Sequence, residues 1–375
     1  MTEPQVLTGG QAVAEAMRQI DPDVVPMYPI TPQTPIIQGF AKFVADGRAS
    51  TEIIDVESEH SAMSAAIGAA LAGGRTMTAT SSQGLALMAE VVYIAASMRA
   101  PIVMAVGNRA LSGPINIHCD HSDSMLVRDS GVIQLFAENA QEAYDLTVLA
   151  PRLAEHPHVL LPVLVCQDGF TITHSAEQVA LLRDADVRRF VGDYHVPEPL
   201  LDVAHPSTQG PFAMPDYYFE LRHQQVAAMR AALDVFDDLA DQFERISGRR
   251  YGAVEAFGLD DAENVLVCLG STSGTAKDAG VPVLQIRSFR PFPSAAVRSA
   301  LAGRDEVFVL DRADSPGGAP PLFAEVAAAL AGTGTAIRSH VYGLGGRELH
   351  PEDLRAIAAG DEKRYVGLRG GPCPA

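Results

Sequence analysis

The sequence predicts an α/β protein with a mainly parallel sheet covered by helices, followed by a second, smaller α/β domain. From Val24 to Val165, short apolar runs such as VVPMY, TEIIDV and PIVMAV alternate with alanine-rich stretches of helical periodicity, such as SAMSAAIGAALAGG. This alternation is typical of β-α-β units, which build parallel sheets with helices on both faces. Ligands of such sheets bind at the carboxyl ends of the strands.

A break in this rhythm predicts where the first domain ends. Between about Val187 and Gly248 the chain has a proline-rich stretch and then a charged helix, which we interpret as an arm and a connecting helix. Apolar runs return after Arg249, in NVLVCLGS, VPVLQIRSF, EVFVLDR and TAIRSHVYG, and predict the strands of the second domain. The predicted domains are residues 1–248 and 249–375, and a chain of this length can bury two cores.

Charge and hydropathy argue against two classes of partner. The formal net charge of −18 disfavours nucleic acid, because binding to a phosphate backbone needs clustered lysines and arginines. Residues Met1–Pro4 lack the basic and apolar regions of a signal peptide, and no apolar run reaches the ~18 residues of a membrane span. We therefore expect a cytoplasmic protein with neither nucleic acid nor membrane as a partner.

The cysteines do not form a recognisable metal or disulfide motif. They lie far apart and include no C-x-x-C pair, at Cys119, Cys166, Cys268 and Cys373. This spacing suggests neither a disulfide framework nor a cysteine-ligated iron–sulfur or zinc site. Metal-based redox chemistry, if it occurs, is expected on another chain.

Polar residues follow several strands of the first predicted sheet. These polar stretches directly after the strands, which we call strand exits, are Thr31–Thr34, Glu57–His60, Ser81–Gly84 and Gly107–Arg109. Glu59 opens an almost wholly apolar helix. It either complements the positive end of the helix dipole or is a catalytic carboxyl group in a poorly solvated site.

Two further exits have a binding interpretation and a structural one. In YPITPQTP, the prolines hold Thr31 on a rigid loop that either binds a substrate or is only stiff. Arg109 keeps its charge, so it needs an anion, which is a substrate carboxylate or an aspartate of the loop beyond. The aspartate candidates are Asp120, Asp123 and Asp129.

Two other stretches are open to a ligand-binding interpretation. His118, His121 and the aspartates around them have no recognised metal-ligand spacing, so we do not predict a metal site there. Gly270–Thr275 is either a β-to-α turn or a loop that binds a phosphate, although it lacks the P-loop lysine spacing.

Taken together, these segments resemble one family of enzymes. YPITPQTPI, VESEHSAMSAAIGAALAGG, TATSSQGLALM and VGNRALSGPINIHCDHSDSM, followed by LGSTSGTAKD, RSFRPFP and LDRADSPGGAPPLF, resemble the alpha subunit of the pyruvate:ferredoxin oxidoreductases. The resemblance covers essentially the whole chain, in the family's order. It implies a pyrimidine-binding domain of a thiamine-diphosphate enzyme, followed by an α/β domain like the C-terminal one of transketolase.

The resemblance also implies roles for particular residues. Glu59 matches the glutamate that hydrogen-bonds N1′ of the aminopyrimidine, and thereby promotes loss of the C2 proton. Thr31 and Arg109 match the residues that bind the substrate, while Ser82 and Gln83 match positions that border the cofactor. The implied reaction is oxidative decarboxylation of pyruvate to acetyl-CoA and CO₂, with electrons passed to ferredoxin.

The implied site is incomplete within this chain. Thiamine enzymes usually anchor the diphosphate and Mg²⁺ through a GDG motif and a downstream asparagine, and here Gln167-Asp168-Gly169 and Gly192-Asp193 only approximate it. The resemblance therefore implies a partner beta subunit that holds the diphosphate and Mg²⁺. It further implies gamma and delta-type subunits or domains, iron–sulfur clusters on partner subunits only, and coenzyme A as the acyl acceptor.

Other functions fit parts of the same sequence. The same chemistry could act on 2-oxoglutarate, a branched-chain 2-oxoacid or oxalate. A non-catalytic scaffold subunit and a nucleotide-binding protein that uses the Gly270–Thr275 loop are the alternatives from other classes. One departure from the family is that only Ala279-Gly280 separates GTAKD from the next strand, so that connection is expected to be shortened or its direction changed.

Overall fold

The first domain is built on a mainly parallel sheet. We describe residues 3–196 and 198–370 from a computed structural model. Across the sheet the strands are β12 (Ser288–Arg290), β6 (Ile133–Phe136), β7 (Val163–Asp168), β5 (Ile102–Asn108), β4 (Thr76–Thr80), β2 (Val24–Met27) and β3 (Glu52–Asp55). Every neighbouring pair is parallel except β12 with β6. The predicted α/β class and parallel sheet are therefore confirmed.

Helices cover both faces of this sheet. They are α1 (Gly9–Ile20), α2 (Thr34–Ala45), α3 (Glu59–Ala72), α4 (Ser82–Ser97), α5 (Ser122–Leu126), α6 (Ala140–Ala154) and α7 (Asp184–Val191). On β5, Val103 and Ala105 pack on one face with α1 and α6, while Met104 and Val106 pack on the other with α3 and α4. Strands buried on both faces have continuous apolar sequences, which is why PIVMAV shows no alternation.

A small sheet and a long helix complete the first part of the chain. Strand β1 (Gln5–Thr8) pairs antiparallel with β8 (Ala176–Val179). Helix α8 (Pro215–Ser247) follows the proline-rich arm and buries Ala228, Ala232, Phe236 and Leu239, which lie three or four residues apart. This spacing places the four side chains on one face of the helix, where they pack against the first domain.

The second sheet is also mainly parallel. Its strands, in order, are β14 (Ala336–Val341), β13 (Glu306–Asp311), β10 (Asn264–Cys268), β11 (Val283–Ile286) and β9 (Val254–Phe257), and β9 runs antiparallel to β11. The helices are α9 (Thr272–Asp278), α10 (Ser294–Leu301), α11 (Pro321–Ala329) and α12 (Pro351–Ala358), with a 3₁₀ turn at Leu344–Gly346. No helix within the described ranges 3–196 and 198–370 is long and apolar enough to span a membrane.

The predicted strand VPVLQIRSF was partly wrong. Its first half forms β11, but its second half forms β12, which leaves the second sheet and pairs with β6 of the first. Between the two, the buried guanidinium of Arg287 forms ion pairs with Glu142 of α6 and Glu255 of β9. These ion pairs with residues distant in sequence fix the chain where it passes from the second sheet to the first. No local sequence pattern predicts them. The division after residue 248 stays a prediction, because the two halves share a sheet.

The short connection after Asp278 keeps its direction. Helix α9 ends at Asp278, the chain turns at Gly280 with a positive φ of 69°, and β11 then runs parallel to β10. A short helix and a tight glycine turn therefore replace the longer crossover that the family usually has. The connection is therefore shortened, as one of the two expected alternatives, and it still joins two neighbouring parallel strands.

Candidate active site at the edge of the first sheet

Glu59 is the buried glutamate at the start of α3. Its neighbour Glu57 is exposed and accepts a hydrogen bond from Ser61, whereas Glu59 is only 7% exposed. Ser58 caps the helix by accepting a hydrogen bond from the backbone N–H of Ser61. No residue in the described part of the chain donates a hydrogen bond to the Glu59 carboxylate. Ser58 therefore caps the helix, while the buried Glu59 carboxylate lies in the first helical turn without a hydrogen-bond donor among the described residues.

Gly84 leaves the space that the Glu59 carboxylate occupies. A Cβ atom at position 84 would lie 2.7 Å from Oε1 of Glu59 and 2.4 Å from Oγ1 of Thr80. The Thr80 hydroxyl is buried and has no hydrogen-bond partner among the described residues. The end of β4 and the start of α4 thus form a narrow polar niche beside Glu59, with unpaired hydrogen-bonding capacity.

Asp123 joins two of the strand exits. Its Oδ2 atom accepts hydrogen bonds from the backbone N–H groups of Ser82 and Arg109, both at 2.9 Å. Its Oδ1 atom accepts one from Nδ2 of Asn108, also at 2.9 Å. Burial raises the pKa of Asp123 to about 6, although these hydrogen bonds act in the opposite direction.

The Ser82 backbone depends on this arrangement. Ser82 has a positive φ of 46°, which costs a residue other than glycine about 1–3 kcal/mol. Its hydroxyl donates to the carbonyl of Ala110 at 2.6 Å, and its N–H donates to Asp123. Sequence reasoning considered Asp123 only as an ion-pair partner of Arg109, because its contacts come from residues far away in sequence.

Arg109 is held by backbone carbonyls. Its Nε atom donates to the carbonyl of Asn116 at 2.8 Å, and Nη1 donates to the carbonyl of Thr31 at 3.0 Å. Burial lowers the pKa of Arg109, but an arginine stays charged in proteins. The guanidinium therefore carries a buried charge that these carbonyls only partly stabilise.

The predicted structural alternative for Arg109 was wrong. No carboxylate of the described residues lies within 4 Å of its guanidinium. Asp123 contacts only its backbone, Asp120 accepts from Ser122, and Asp129 faces Arg128. The side chain keeps donors for an external anion.

The structure brings the predicted site residues to one edge of the sheet. Thr31 contacts Arg109 through its carbonyl, while its side chain is exposed. Ser82 is bridged to Arg109 by Asp123, and its hydroxyl oxygen lies 2.6 Å from Oε1 of Gln83. Glu59 adjoins the same helix start through Gly84. The roles of these residues remain predictions.

His121 belongs to a buried ionic cluster. Nε2 of His121 and Nη1 of Arg312 contact the Asp168 carboxylate at 2.7 and 2.8 Å, and Ser271 donates to it from N–H and hydroxyl. Burial alone would raise the pKa of Asp168, but the charges of Arg312 and His121 outweigh it and lower the pKa well below its usual value.

A metal ion is a poor fit to this cluster. Cys119, His121 and Asp168 place ligand atoms within 4.8 Å of one another. However, Asp168 is already paired with Arg312, and burial raises the pKa of the Cys119 thiol well above its usual range. The cluster instead ties the loop after β5 to the second domain.

Comparison with known proteins identifies the family. The profile described as pyruvate flavodoxin/ferredoxin oxidoreductase, thiamine diphosphate-binding, matches residues 15–241. The profile of pyruvate:ferredoxin oxidoreductase core domain II matches residues 262–354. The chain belongs to the pyruvate:ferredoxin oxidoreductase family. It is an alpha-type subunit of a 2-oxoacid:ferredoxin oxidoreductase, as the sequence resemblance implied.

Relatives match along almost the whole chain. Pyruvate synthase subunit PorA of Thermotoga maritima is 54% identical over 98% of this chain and 99% of its own length. The PorA subunit of Methanocaldococcus jannaschii is 46% identical over 98% of this chain and 99% of its own length. Ketoisovalerate oxidoreductase subunit VorA of Pyrococcus abyssi is 38% identical over 96% of this chain and 94% of its own length.

A solved structure shares the fold. The 2-oxoglutarate:ferredoxin oxidoreductase from Magnetococcus marinus, solved with 2-oxoglutarate, coenzyme A and succinyl-CoA bound, superposes with a TM-score of 0.73. It is 20% identical to this chain, and the match covers 95% of this chain and 65% of that one. At this identity the likeness supports the fold.

Proposed function

We propose that this chain acts in the oxidative decarboxylation of pyruvate to acetyl-CoA and CO₂, with Glu59, Thr31, Arg109, Ser82 and Gln83 as its site residues. The observation that carries the proposal is the buried Glu59 carboxylate, which has no donor among the described residues and packs closely against Gly84. A buried carboxylate without a donor needs a partner that supplies a proton or a hydrogen bond.

Thiamine diphosphate fits this requirement. When bound, it supplies a C2 carbon that becomes nucleophilic towards the 2-oxo carbon of the substrate. In the proposal, the carboxyl group of Glu59 would share a proton with N1′ of the aminopyrimidine, and the buried apolar side chains of Ala62 and Met63 in α3 would limit the access of water to that hydrogen bond. Ser82 and Gln83, at the start of α4, would border the ring. Because Gly84 has no side chain, the Glu59 carboxylate can pack directly against the start of α4.

Arg109 and Thr31 are proposed to bind the substrate. The Arg109 guanidinium keeps free donors after its two carbonyl contacts, and a carboxylate can accept two of them side by side. The exposed hydroxyl of Thr31 lies on the loop that Arg109 contacts, where it can donate to the substrate carbonyl. Together they orient a 2-oxoacid at the sheet edge.

Partner subunits are proposed to complete the enzyme. A beta subunit would hold the diphosphate and Mg²⁺, while gamma and delta-type subunits or domains, ferredoxin and coenzyme A complete the reaction. Burial raises the pKa of the thiols of Cys119, Cys166 and Cys268, which disfavours the thiolates that iron–sulfur ligation needs. We therefore place the clusters on partner subunits; Cys373 lies outside the described residues.

The native complex provides the test of substrate. Pyruvate and coenzyme A should bleach the cluster absorbance of the purified complex, and 2-oxoglutarate or a branched-chain 2-oxoacid should do so more slowly. The similar proteins include enzymes named for ketoisovalerate and 2-oxoglutarate. If one of these 2-oxoacids bleached the clusters faster than pyruvate, it would become the proposed substrate. No response to any 2-oxoacid would favour a scaffold subunit.

Glu59→Gln tests the catalytic residue, and Glu57→Gln is its matched control. We expect Glu59→Gln to lower kcat at least ~100-fold, because proton sharing contributes about that much to catalysis. The complex should stay assembled, which size-exclusion chromatography measures. Glu57 is exposed, two residues away, and its variant should keep wild-type turnover. Wild-type turnover in Glu59→Gln would show that the assignment is wrong.

A further inference from the structure

A polar cavity of about 360 Å³ lies between the two domains, and Glu59 is not among the residues that line it. It is lined by Thr171 of the first domain and by Ser271, Thr275, Arg312, Arg347 and His350 of the second. Its volume is at the lower end of the range of small-molecule sites. The sequence motif Gly270–Thr275, which the proposed function does not use, forms part of its wall.

The cavity lies where ligands bind in sheets of this type. From β10 the chain passes through α9 to β11 on one side, and it later returns through α10 to β13 on the other side of β10. Ser271 and Arg312 follow the carboxyl ends of β10 and β13. The crevice between two such strands, at the point where the strand order reverses, is the usual ligand site of open α/β sheets.

Arg312 has unused hydrogen-bonding capacity. Its side chain is 9% exposed, and Nη1 donates to Asp168. Its buried Nε atom has no hydrogen-bond partner among the described residues. Asp168 is shared with His121 and Ser271, so the charge of this arginine is only partly balanced by it.

Arg347 adds a second cation to the cavity wall. The only hydrogen bond of its side chain within the described residues is from Nη1 to the carbonyl of Gly367 at 3.5 Å, and no described carboxylate pairs with the guanidinium. Glu348 also lines the cavity, but its side chain is 84% exposed and lies 3.8 Å from His350. The lining therefore has two guanidinium groups, of which only Arg312 is paired with a described carboxylate.

Free hydroxyl groups accompany the two arginines. The side chains of Thr171 and Thr275 make no hydrogen bond with described residues, whereas Thr272 is bound to Tyr342 and Ser271 to Asp168. Guanidinium groups and threonine hydroxyls that surround one space are the donors that a tetrahedral oxyanion accepts from several directions.

We propose that this cavity binds a phosphate group, either as the free ion or as a small phosphate monoester. The inference rests on residues outside the proposed active site, and it stands or fails independently of the proposed function. Arg347 would bind the oxyanion from the solvent side, with Arg312 at the base and Thr275 at the wall.

Calorimetry on the intact complex tests the proposal in a phosphate-free buffer, with saturating thiamine diphosphate and without pyruvate. The probes are inorganic phosphate and glycerol 3-phosphate, and succinate and glycerol serve as comparison compounds. We expect one phosphate-bearing probe per chain to bind, more tightly than succinate. The tighter of the two probes identifies the source of the phosphate group.

Arg347→Gln and Thr275→Val locate the site. Arg347→Gln should weaken binding roughly tenfold, because it removes a charge-assisted hydrogen bond at the mouth, and Thr275→Val should weaken it less. The control Arg189→Gln removes an equivalent charge from α7, where the side chain is 80% exposed, and should leave affinity unchanged. Absence of binding, equal affinity in wild type and Arg347→Gln, or tighter binding of succinate would overturn the proposal.

Discussion

Gly84→Ala tests the geometry on which the candidate active site depends. Gly84 lies in the first turn of α4, where alanine is normally the better helix former by about 1 kcal/mol. Here the added Cβ atom would lie 2.4 Å from Oγ1 of Thr80, 2.7 Å from Oε1 of Glu59 and 2.9 Å from its Cγ. These distances are shorter than van der Waals contact, so the side chains or the helix must move.

The magnitudes favour a loss of activity over a loss of fold. Overpacking costs about 1–3 kcal/mol, and the gain in helix propensity offsets part of it. The free energy of unfolding should therefore fall by no more than about 2 kcal/mol. The Glu59 carboxylate can move more easily than Thr80, which is fixed on a central strand. A displacement of about 1 Å at a catalytic group can cost on the order of 100-fold in rate.

The assays are urea unfolding of the variant chain and pyruvate-dependent reduction of the clusters in the reconstituted complex. Gly68→Ala is the matched control, because Gly68 is in α3, the helix that Glu59 starts, and its Cβ would meet no atom within 4 Å. It should gain up to ~1 kcal/mol in stability and keep its activity. Wild-type turnover in Gly84→Ala would refute the placement of Glu59 beside this niche.

Three further outcomes follow from the same contacts. Asp123→Asn replaces an acceptor oxygen with an NH₂ group that faces N–H donors, so we expect a loss of about 2–4 kcal/mol in urea unfolding and a lower kcat. Asp129→Asn, with a side chain 70% exposed, is the control, and equal stability of the two variants would contradict the bridging role of Asp123. Arg109→Lys keeps the charge but loses the planar fork, so KM for pyruvate should rise roughly 10- to 100-fold, and an unchanged KM would exclude Arg109 from carboxylate binding. Because the pKa of Asp168 is lowered in the folded chain, its ionised form stabilises the fold above the usual pKa of about 4 and this contribution is lost as the pH falls below it. The difference in unfolding free energy between wild type and Asp168→Asn should shrink from pH 6 to pH 3, and a constant difference would contradict this.

The sequence alone predicted the fold class and the candidate site residues. The apolar runs and helical periods from Val24 to Val165 are local patterns, and a parallel sheet follows from them with its carboxyl ends at one edge. The polar exits at Thr31, Glu59 and Arg109 could therefore be expected to converge. The local pattern by itself did not distinguish Glu57 from Glu59, and the family resemblance selected Glu59. The structure shows that Glu59 is the buried one of the two and that it packs against Gly84.

Tertiary structure decided the contacts between distant segments. Asp123 joins the ends of β4 and β5, Arg287 holds the chain where it leaves one sheet for the other, and Arg312 reaches Asp168 across the domains. Arg287 and Arg312 lie in or directly after runs that predict strands, but these runs do not indicate which carboxylates pair with the two arginines. Hydropathy and spacing predict the secondary structure and the buried face of each segment. The partner of a buried charge, in contrast, depends on which distant segments the fold brings within a few ångströms of it.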